Sequence, residues 1–259
     1  MSVPGTQAAN PAEQPQGGVT TEAGRQTDLA AQLARISHEL LGQKDEPLTL
    51  QRIVELAVET VPGCEWAGVS LRTSRSPAEA VAATHQMVYE ADKLQEELQE
   101  GPCFDTSQDD ELHISADLAT DQRWPTWGPR AAQQGIRSVL SVQLRGADDD
   151  LLGALNLYSG GAGAFSRADL DDALLFASHA GGALAQSREL TGLREALRSR
   201  HLIGVAQGML MQRYHVTLDQ AFAILSRHSQ QRNVKLRDVA AEIVESGSLG
   251  EGTGESVSA

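Results

Sequence analysis

Residues 201–245 read HLIGVAQGMLMQRYHVTLDQAFAILSRHSQQRNVKLRDVAAEIVE, and this run predicts a small helical module. Apolar residues recur at helical spacing over residues 202–210, which indicates a first helix. Thr217 and Gln220 have the spacing of a capping box and predict the start of a second helix. Asn233 is expected to cap a third helix.

The second and third helices each have an apolar side. For the second helix the apolar set is Leu218, Ala221, Phe222 and Leu225. For the third helix it is Leu236, Val239, Ala240, Ile243 and Val244. Three short helices cannot each bury a face alone, so they are expected to pack together, with Met209, Phe222 and Leu225 in the core.

Several short runs in this region resemble the ANTAR domain. They are VAQGMLM (205–211), QAF (220–222), RNVKL (232–236) and VA (239–240). The resemblance spans most of residues 193–246 and implies a three-helix RNA-binding output module of a bacterial transcription antiterminator. Many members carry a basic residue where this chain has Gln207.

The resemblance implies that exposed polar groups of the module contact RNA hairpin loops, where unstacked bases offer edges and faces. Arg213 and Tyr214, at the end of the first helix, suit a phosphate contact and a stacking face. The remaining candidate contacts lie before the first helix, within it and before the third helix. They are Arg198, His201, Gln207, Arg232, Asn233 and Lys235.

Residues 27–187 predict an α+β domain with a mainly antiparallel sheet. Helical periodicity marks residues 27–41 and 50–61, and period-two alternation then marks strands near residues 67–71, 79–84, 113–118, 140–144 and 151–159. Further helices are expected over residues 88–99 and 123–135. Residues 146–150, GADDD, predict a hairpin turn between the last two strands.

A second resemblance, to GAF sensor domains of actinobacterial GAF–ANTAR proteins, covers about residues 28–187. It rests on EGPC (100–103), DL (117–118), RWP (123–125), GIRSVL (135–140) and GALNLY (153–158). It implies a central sheet with the first and last helices on one side and a pocket on the other. Trp66 and Trp124 are expected to be core residues, as large aromatic side chains usually are, with pocket lining as the alternative; the pocket ligand is left open.

A capping box at Ser166 and Asp169 predicts a helix that runs unbroken through residue 200. Leu190, Leu193 and Leu197 continue its apolar side at helical spacing, which favours self-association aided by the GAF helices. The alternative is a linker helix packed on its own domain. Each glycine within this helix weakens it by roughly 1 kcal/mol relative to alanine.

Charge is distributed unevenly. The net charge is −14, yet cations exceed anions by three within residues 191–246. An acidic body with a basic end is typical of a regulator with a nucleic-acid-binding module, and a mildly basic solvated helix face is the alternative.

Other function classes find no support in the sequence. It shows no phosphate-binding loop, zinc-protease motif or nucleophile–base set, and no secretory signal or membrane-spanning run. Cys64 and Cys103 have no metal-ligand spacing and are expected to be free. We expect Cys103 to be a buried structural thiol. The alternative is a redox role, because Cys103 follows Gly101-Pro102 at an expected helix start, which would lower its thiol pKa.

We therefore predict four parts: a disordered segment (1–26), a GAF-like sensor domain (27–187), a linker helix with an ANTAR-like domain (188–246) and a disordered tail (247–259). The predicted protein is a cytoplasmic, non-enzymatic antitermination regulator that forms a homodimer and binds tandem stem-loops in leader RNA. It uses no cofactor apart from a possible small-molecule ligand of the GAF-like domain. The alternatives are a ligand or redox sensor that acts through protein contacts, with the C-terminal helices as a dimerisation module, and a DNA-binding protein.

Overall fold

The structure is a computed structural model that describes residues 22–43, 45–71, 79–105 and 112–247. These residues form seven helices and five strands. In chain order they are α1 (Glu22–Leu41), α2 (Glu46–Thr60), β1 (Trp66–Leu71), β2 (Glu79–Ala83), α3 (Gln86–Leu98), β3 (Leu112–Ser115), α4 (Trp127–Gln133), β4 (Ser138–Arg145), β5 (Leu151–Ser159), α5 (Arg167–Tyr214), α6 (Leu218–Arg232) and α7 (Leu236–Ser246).

The five strands form one antiparallel sheet in the order β2-β1-β5-β4-β3. In the centre of the sheet, Leu155 of β5 lies opposite Val69 of β1 on one side and opposite Val142 of β4 on the other. The predicted hairpin turn joins β4 to β5, with Asp149 in the left-handed region at φ 60°. This sheet confirms the predicted α+β class.

One face of the sheet is covered by α1, α2 and the first part of α5. Aliphatic side chains fill the space between these layers, among them Ile53, Val69, Leu155 and Phe176, which are all buried. The helices α3 and α4 lie on the opposite face, where Trp124, Trp127 and Tyr158 are fully buried. The first and last helices of the sheet domain (residues 22–191) therefore share one side of the sheet, as the resemblance to GAF domains implies.

The helix α5 runs for 48 residues without interruption. Ser166 and Asp169 form the predicted capping box at its start, where each side chain accepts from the other residue's backbone N–H. The prediction that this helix continues through residue 200 is confirmed. It also extends to Tyr214, so the linker and the first helix of the C-terminal module (residues 195–247) are one element.

The helix leaves the sheet domain at a group of polar contacts with the start of α2. Ser187 accepts a hydrogen bond from the buried Thr49 hydroxyl at 2.9 Å, and Arg188 donates to Glu46 at 2.7 Å. Thr191 accepts from the Glu46 backbone N–H. After these contacts, residues 192–198 are exposed on every side of the helix.

The C-terminal module is a three-helix unit. Thr217 and Gln220 form the predicted capping box of α6. Its core is small and consists of Ala206, Leu210, Ala221, Leu225, Val239, Ala240 and Ile243. The helix α7 lies parallel to the end of α5, because Arg237 approaches Glu195 while Gly247 contacts Arg213.

Several predicted boundaries differ from the structure. The helix α1 begins at Glu22 rather than near residue 27, so residues 22–26 of the predicted disordered segment are helical; residues 1–21 lie outside the described residues. The strand predicted from residue 113 to 118 is shorter, and α4 begins at Trp127, because residues 123–126 form turns. Of the predicted tail, only Gly247 is described, and it terminates α7 with φ 70°.

Candidate nucleic-acid interface

The predicted contact residues fall into two groups at opposite ends of the module. Arg198 lines a cleft between α5 and α7 beside Arg237, close to the turn that carries Lys235. Arg213 and Tyr214 lie at the far end of α5. Fifteen residues of helix separate Arg198 from Arg213, which is about 22 Å along the axis.

At the far end, the Arg213 guanidinium group donates to the backbone carbonyl of Gly247 at 2.7 Å. It also lies 5.9 Å from the centroid of the Tyr214 ring. Tyr214 is nearly half exposed and makes no side-chain hydrogen bond within the described part of the chain. An exposed aromatic ring with a neighbouring guanidinium group is suited to stacking on a nucleic-acid base.

Gln207 lies between the two groups and has a structural contact. Its side-chain amide donates to the backbone carbonyl of Leu218 at 3.3 Å, next to the start of α6. Because the Leu218 carbonyl lies in the first turn of α6, the Gln207 hydrogen bond connects α6 to α5. A neutral amide at position 207 also brings no positive charge to this part of the surface.

Arg232 is held by an ion pair with Glu242 of α7. Both terminal nitrogens of the guanidinium group donate to the carboxylate, at 2.5 and 3.0 Å. These hydrogen bonds raise the pKa of Arg232 and lower the pKa of Glu242. The charge of Arg232 is therefore largely balanced within the module, and the pair also joins α6 to α7.

The predicted capping role of Asn233 is wrong. Asn233 is the C-cap of α6, in the left-handed conformation at φ 51°, and Lys235 occupies the N-cap position of α7. Asparagine tolerates left-handed φ values better than most residues, so it suits a helix end as well as a helix start. The Ser229 hydroxyl donates to the backbone carbonyl of Val234 and stabilises this turn.

The remaining basic residues supply unbalanced positive charge. Within the described part of the module, Arg198, Arg200, Arg227 and Lys235 make no ion pair. All four side chains are exposed. His201, also a predicted contact, is exposed on α5. The sequence interpretation left out Arg200 and Arg227, although their positions on exposed helix faces follow from the periodicity of the apolar residues.

The prediction that Phe222 lies in the core is wrong. Its side chain is 46% exposed, and Leu218, one turn earlier, is 55% exposed. Leu225 is fully buried as predicted, and Met209 is partly buried against the core. On α6, the small Ala221 packs in the core with α5 and α7, so Leu218 and Phe222 stay at the surface.

The sheet domain contains a buried polar network on the α3 side of the sheet. Asp92 accepts from the Ser70 hydroxyl at 2.9 Å and from the Gln95 amide at 3.0 Å. Asn156 donates to Ser70 at 3.1 Å and accepts from Ser141 at 2.7 Å. Burial raises the pKa of Asp92 to about 6, and the Ser70 hydrogen bond opposes this shift.

Cys103 is a buried thiol, as the favoured sequence interpretation has it, and the helix start on which the redox alternative rests is absent. Residues 101–104 form a turn after α3, and no helix begins there. Cys103 is buried beside Asp92, and burial together with that carboxylate raises the pKa of its thiol well above the ordinary value. Burial likewise raises the pKa of Cys64 to about 12. Both cysteines are free, as predicted.

Aromatic side chains fill much of the predicted pocket side. Trp124 and Trp127 pack edge to face, with ring centroids 5.5 Å apart, and the Trp124 indole donates to Asp105 at 2.6 Å. Trp66 is partly buried against the same cluster. In the described ranges, no group of three or more His, Cys, Asp and Glu residues could hold a metal ion.

Two family models match the chain. The model of the GAF domain matches residues 43–185, which is more than half of the chain, and the model of the ANTAR domain matches residues 191–244. GAF domains are sensor domains that can bind small molecules, and ANTAR domains are RNA-binding domains of antitermination regulators. Both kinds of domain are regulatory rather than catalytic.

Solved structures show the same fold at low identity. The phytochrome photosensory core module of Stigmatella aurantiaca is 11% identical with a TM-score of 0.53, covering 80% of this chain and 45% of its own. The bacteriophytochrome RpBphP3 from R. palustris is 11% identical with a TM-score of 0.51, and the match covers 79% of this chain and 46% of the bacteriophytochrome. This chain therefore spans less than half the length of either phytochrome structure.

A GAF domain of a phosphoenolpyruvate-protein phosphotransferase from Coxiella burnetii is 14% identical with a TM-score of 0.50. That match covers 62% of this chain and 95% of the domain. A comparison with curated proteins found no match. Across the part of the chain that the structure describes, no helix combines the length and apolar character needed to cross a membrane.

Proposed function

We propose a function from one premise: the chain belongs to the GAF domain family and carries an ANTAR domain after its GAF domain. It acts as a transcription antitermination regulator in the cytoplasm, where nascent transcripts form. The ANTAR domain binds tandem stem-loops in leader RNA and prevents a terminator hairpin from forming. The GAF domain senses a signal or holds the dimer together, and its ligand is a small molecule if it has one.

The observation that carries this proposal is the charge of the module. Cations exceed anions by three within residues 191–246, whereas the whole chain has a net charge of −14. Four exposed cations of the module make no ion pair with other described residues. Phosphate groups of RNA are the natural counterions for such a surface.

The two ends of the module suit different parts of a hairpin. Arg198 and Lys235 supply phosphate contacts at one end. Arg213 and Tyr214 supply a cation and a stacking face at the other end. The separation of about 22 Å along α5 is long enough to reach from a hairpin loop into the adjoining stem.

A homodimer would match two modules to two hairpins. Leu190, Leu193 and Leu197 are 41%, 58% and 58% exposed on the part of α5 where the sheet domain passes into the C-terminal module. They recur at three- and four-residue spacing, so two α5 helices from separate copies can pair along them. Linking two modules in this way raises the effective concentration of the second RNA contact.

The leucines also favour the alternative that the C-terminal helices only dimerise and the sensor acts through protein contacts. Replacing Arg213 and Lys235 with alanine separates the two. If the protein binds RNA, regulation in a leader-reporter assay is lost while the dimer persists. If the module is only a scaffold, regulation is unchanged.

The direct test is a fluorescence-anisotropy titration of the full chain. The probes are a tandem-hairpin RNA and the same RNA with scrambled loops, each at two salt concentrations. Tight, loop-dependent binding is expected, and equal weak binding of both RNAs would refute the proposal. Duplex DNA of equal length serves as the control for a DNA-binding function, which predicts that DNA competes as well as RNA.

A further inference from the structure

Three large apolar side chains are exposed around the turn between α5 and α6. Tyr214 ends α5 and is 46% exposed, Leu218 begins α6, and Phe222 lies one turn further along the same side of α6. Exposing an aromatic ring costs hydrophobic free energy that burial would recover. Phe222 is therefore the residue of this surface that most needs an explanation.

The core of the module does not need Phe222. Ala221, Leu225 and Leu210 close the contact between α5 and α6 and are 2% exposed or less. Phe222 belongs to neither the buried core nor the partly buried residues around it. Its ring consequently lies on the surface as a flat apolar face.

The chemical surroundings favour a nucleic-acid base over an apolar protein partner. The Arg213 guanidinium group and the Tyr214 ring stand at the same turn, and His215 between the two helices is exposed. Next to Phe222 on α6, Asp219 and Ser226 are exposed or partly exposed polar residues. An exposed aromatic ring among polar side chains, on the same module as a guanidinium group, suits a base joined to a polar backbone.

The surface that suits a second copy of the chain lies elsewhere. On α5, Leu190 and Leu193 precede the module and Leu197 lies in its first turn, at the opposite end of the module from Tyr214. The exposed α6 side chains are therefore separate from the leucines to which we assign self-association. This separation allows the two roles to be tested independently.

We propose that Phe222 is a stacking platform for an unpaired base of the RNA, on the helix that follows the turn after Tyr214. The assignment rests on the proposed RNA-binding function and adds the residue that selects unpaired bases over duplex. Stacking requires a splayed base, and an A-form stem offers none.

The test compares Phe222→Leu with the wild type. Leucine keeps the apolar character and the helix but removes the aromatic face. Loss of one base stack weakens binding by about 5- to 150-fold. The expected result is at least a fivefold weaker affinity for tandem-hairpin RNA, with no change in the salt dependence, because stacking releases no counterions.

Two further variants make the result specific. Phe222→Trp introduces an indole into a module that otherwise has none, since the other tryptophans lie in the sheet domain. Its emission should be quenched as hairpin RNA is added, with affinity equal to the wild type or tighter. Val81→Ala alters a similarly exposed side chain of β2 and should bind RNA as the wild type does.

The outcomes separate this assignment from the proposed function. If the wild type does not distinguish hairpin from scrambled RNA, the RNA-binding function itself fails. If the wild type does and Phe222→Leu binds equally well, only the stacking role is overturned. If Phe222→Leu instead shifts the sedimentation coefficient from dimer to monomer, the residue serves a protein interface and the assignment is also overturned.

Discussion

Gly181 and Gly182 are adjacent in α5, yet the structure gives them opposite roles. A Cβ atom at position 181 would lie 2.2 Å from the backbone oxygen of Arg145 and 2.9 Å from its backbone nitrogen. A Cβ atom at position 182 would meet no described atom within 4 Å. The close approach of α5 to β4 therefore requires glycine at 181 only.

The expected effects follow from two opposing terms. Alanine is favoured over glycine within a helix by about 0.5–1 kcal/mol, and Gly182→Ala should gain this amount. Gly181→Ala gains the same helical preference but forces backbone atoms of α5 and β4 apart. Overpacking of this kind costs about 1–3 kcal/mol, and a 2.2 Å contact places it at the upper end. We expect a net loss of about 2 kcal/mol.

Urea unfolding followed by tryptophan fluorescence measures this difference. The three tryptophans, Trp66, Trp124 and Trp127, all belong to the sheet domain and report its unfolding. The two variants should differ by about 3 kcal/mol, with Gly182→Ala the more stable. In thermal unfolding, each 1 kcal/mol of change in unfolding free energy shifts the melting temperature by about 2–4 °C. Equal stability of the two variants would refute the close packing of α5 on β4.

Three more predictions address charge and association. Because burial raises the pKa of Asp92 from 3.8 to about 6, the folded protein binds this proton more tightly than the unfolded chain, so stability should fall as pH rises from about 4 to 6. In Asp92→Asn the free energy of unfolding should change by about 3 kcal/mol less than in the wild type between about pH 4 and 6. The same pH dependence of unfolding in both proteins would contradict the burial of Asp92. Lys235→Ala and Arg198→Ala should each weaken RNA binding and reduce the log–log salt slope by about 0.7; an unchanged slope would exclude a phosphate contact. Replacing both Leu193 and Leu197 with lysine should yield monomers in sedimentation velocity, and a persistent dimer would move the interface elsewhere.

Local pattern was enough to predict much of the fold. Alternation over β4 and β5 and the turn residues between them predicted the hairpin, although the structure buries both faces of these strands. Both capping boxes follow from short-range hydrogen bonds. The long helix was also predictable, since Ser166 starts it and no proline interrupts it. These features depend on residues within a few positions of one another.

The errors concern contacts between distant elements. Phe222 has helical spacing that fits a core residue, but the width of the buried stripe depends on how closely α5 and α7 approach α6. Asn233 can cap either end of a helix, and only the backbone conformation decides. The environment of Cys103 is set by Asp92, Ser70 and Asn156, which come from three other elements.

The continuity of α5 links dimerisation to RNA binding under the proposed function. Residues 192–198 are exposed on every side, so packing supports this stretch only weakly, with Glu195 at 3.6 Å from Arg237 of α7. Gly192 weakens it further, and nothing described lies within 4 Å of a Cβ atom placed there. Pairing of Leu193 and Leu197 between two copies would supply further support and set the orientation of both modules. Because coupling between two binding events is reciprocal, RNA that engages both modules must stabilise the paired helices by the same free energy that pairing contributes to RNA binding. A signal that reaches the start of this stretch at Arg188 and Thr191 could thus control RNA affinity without touching the RNA surface.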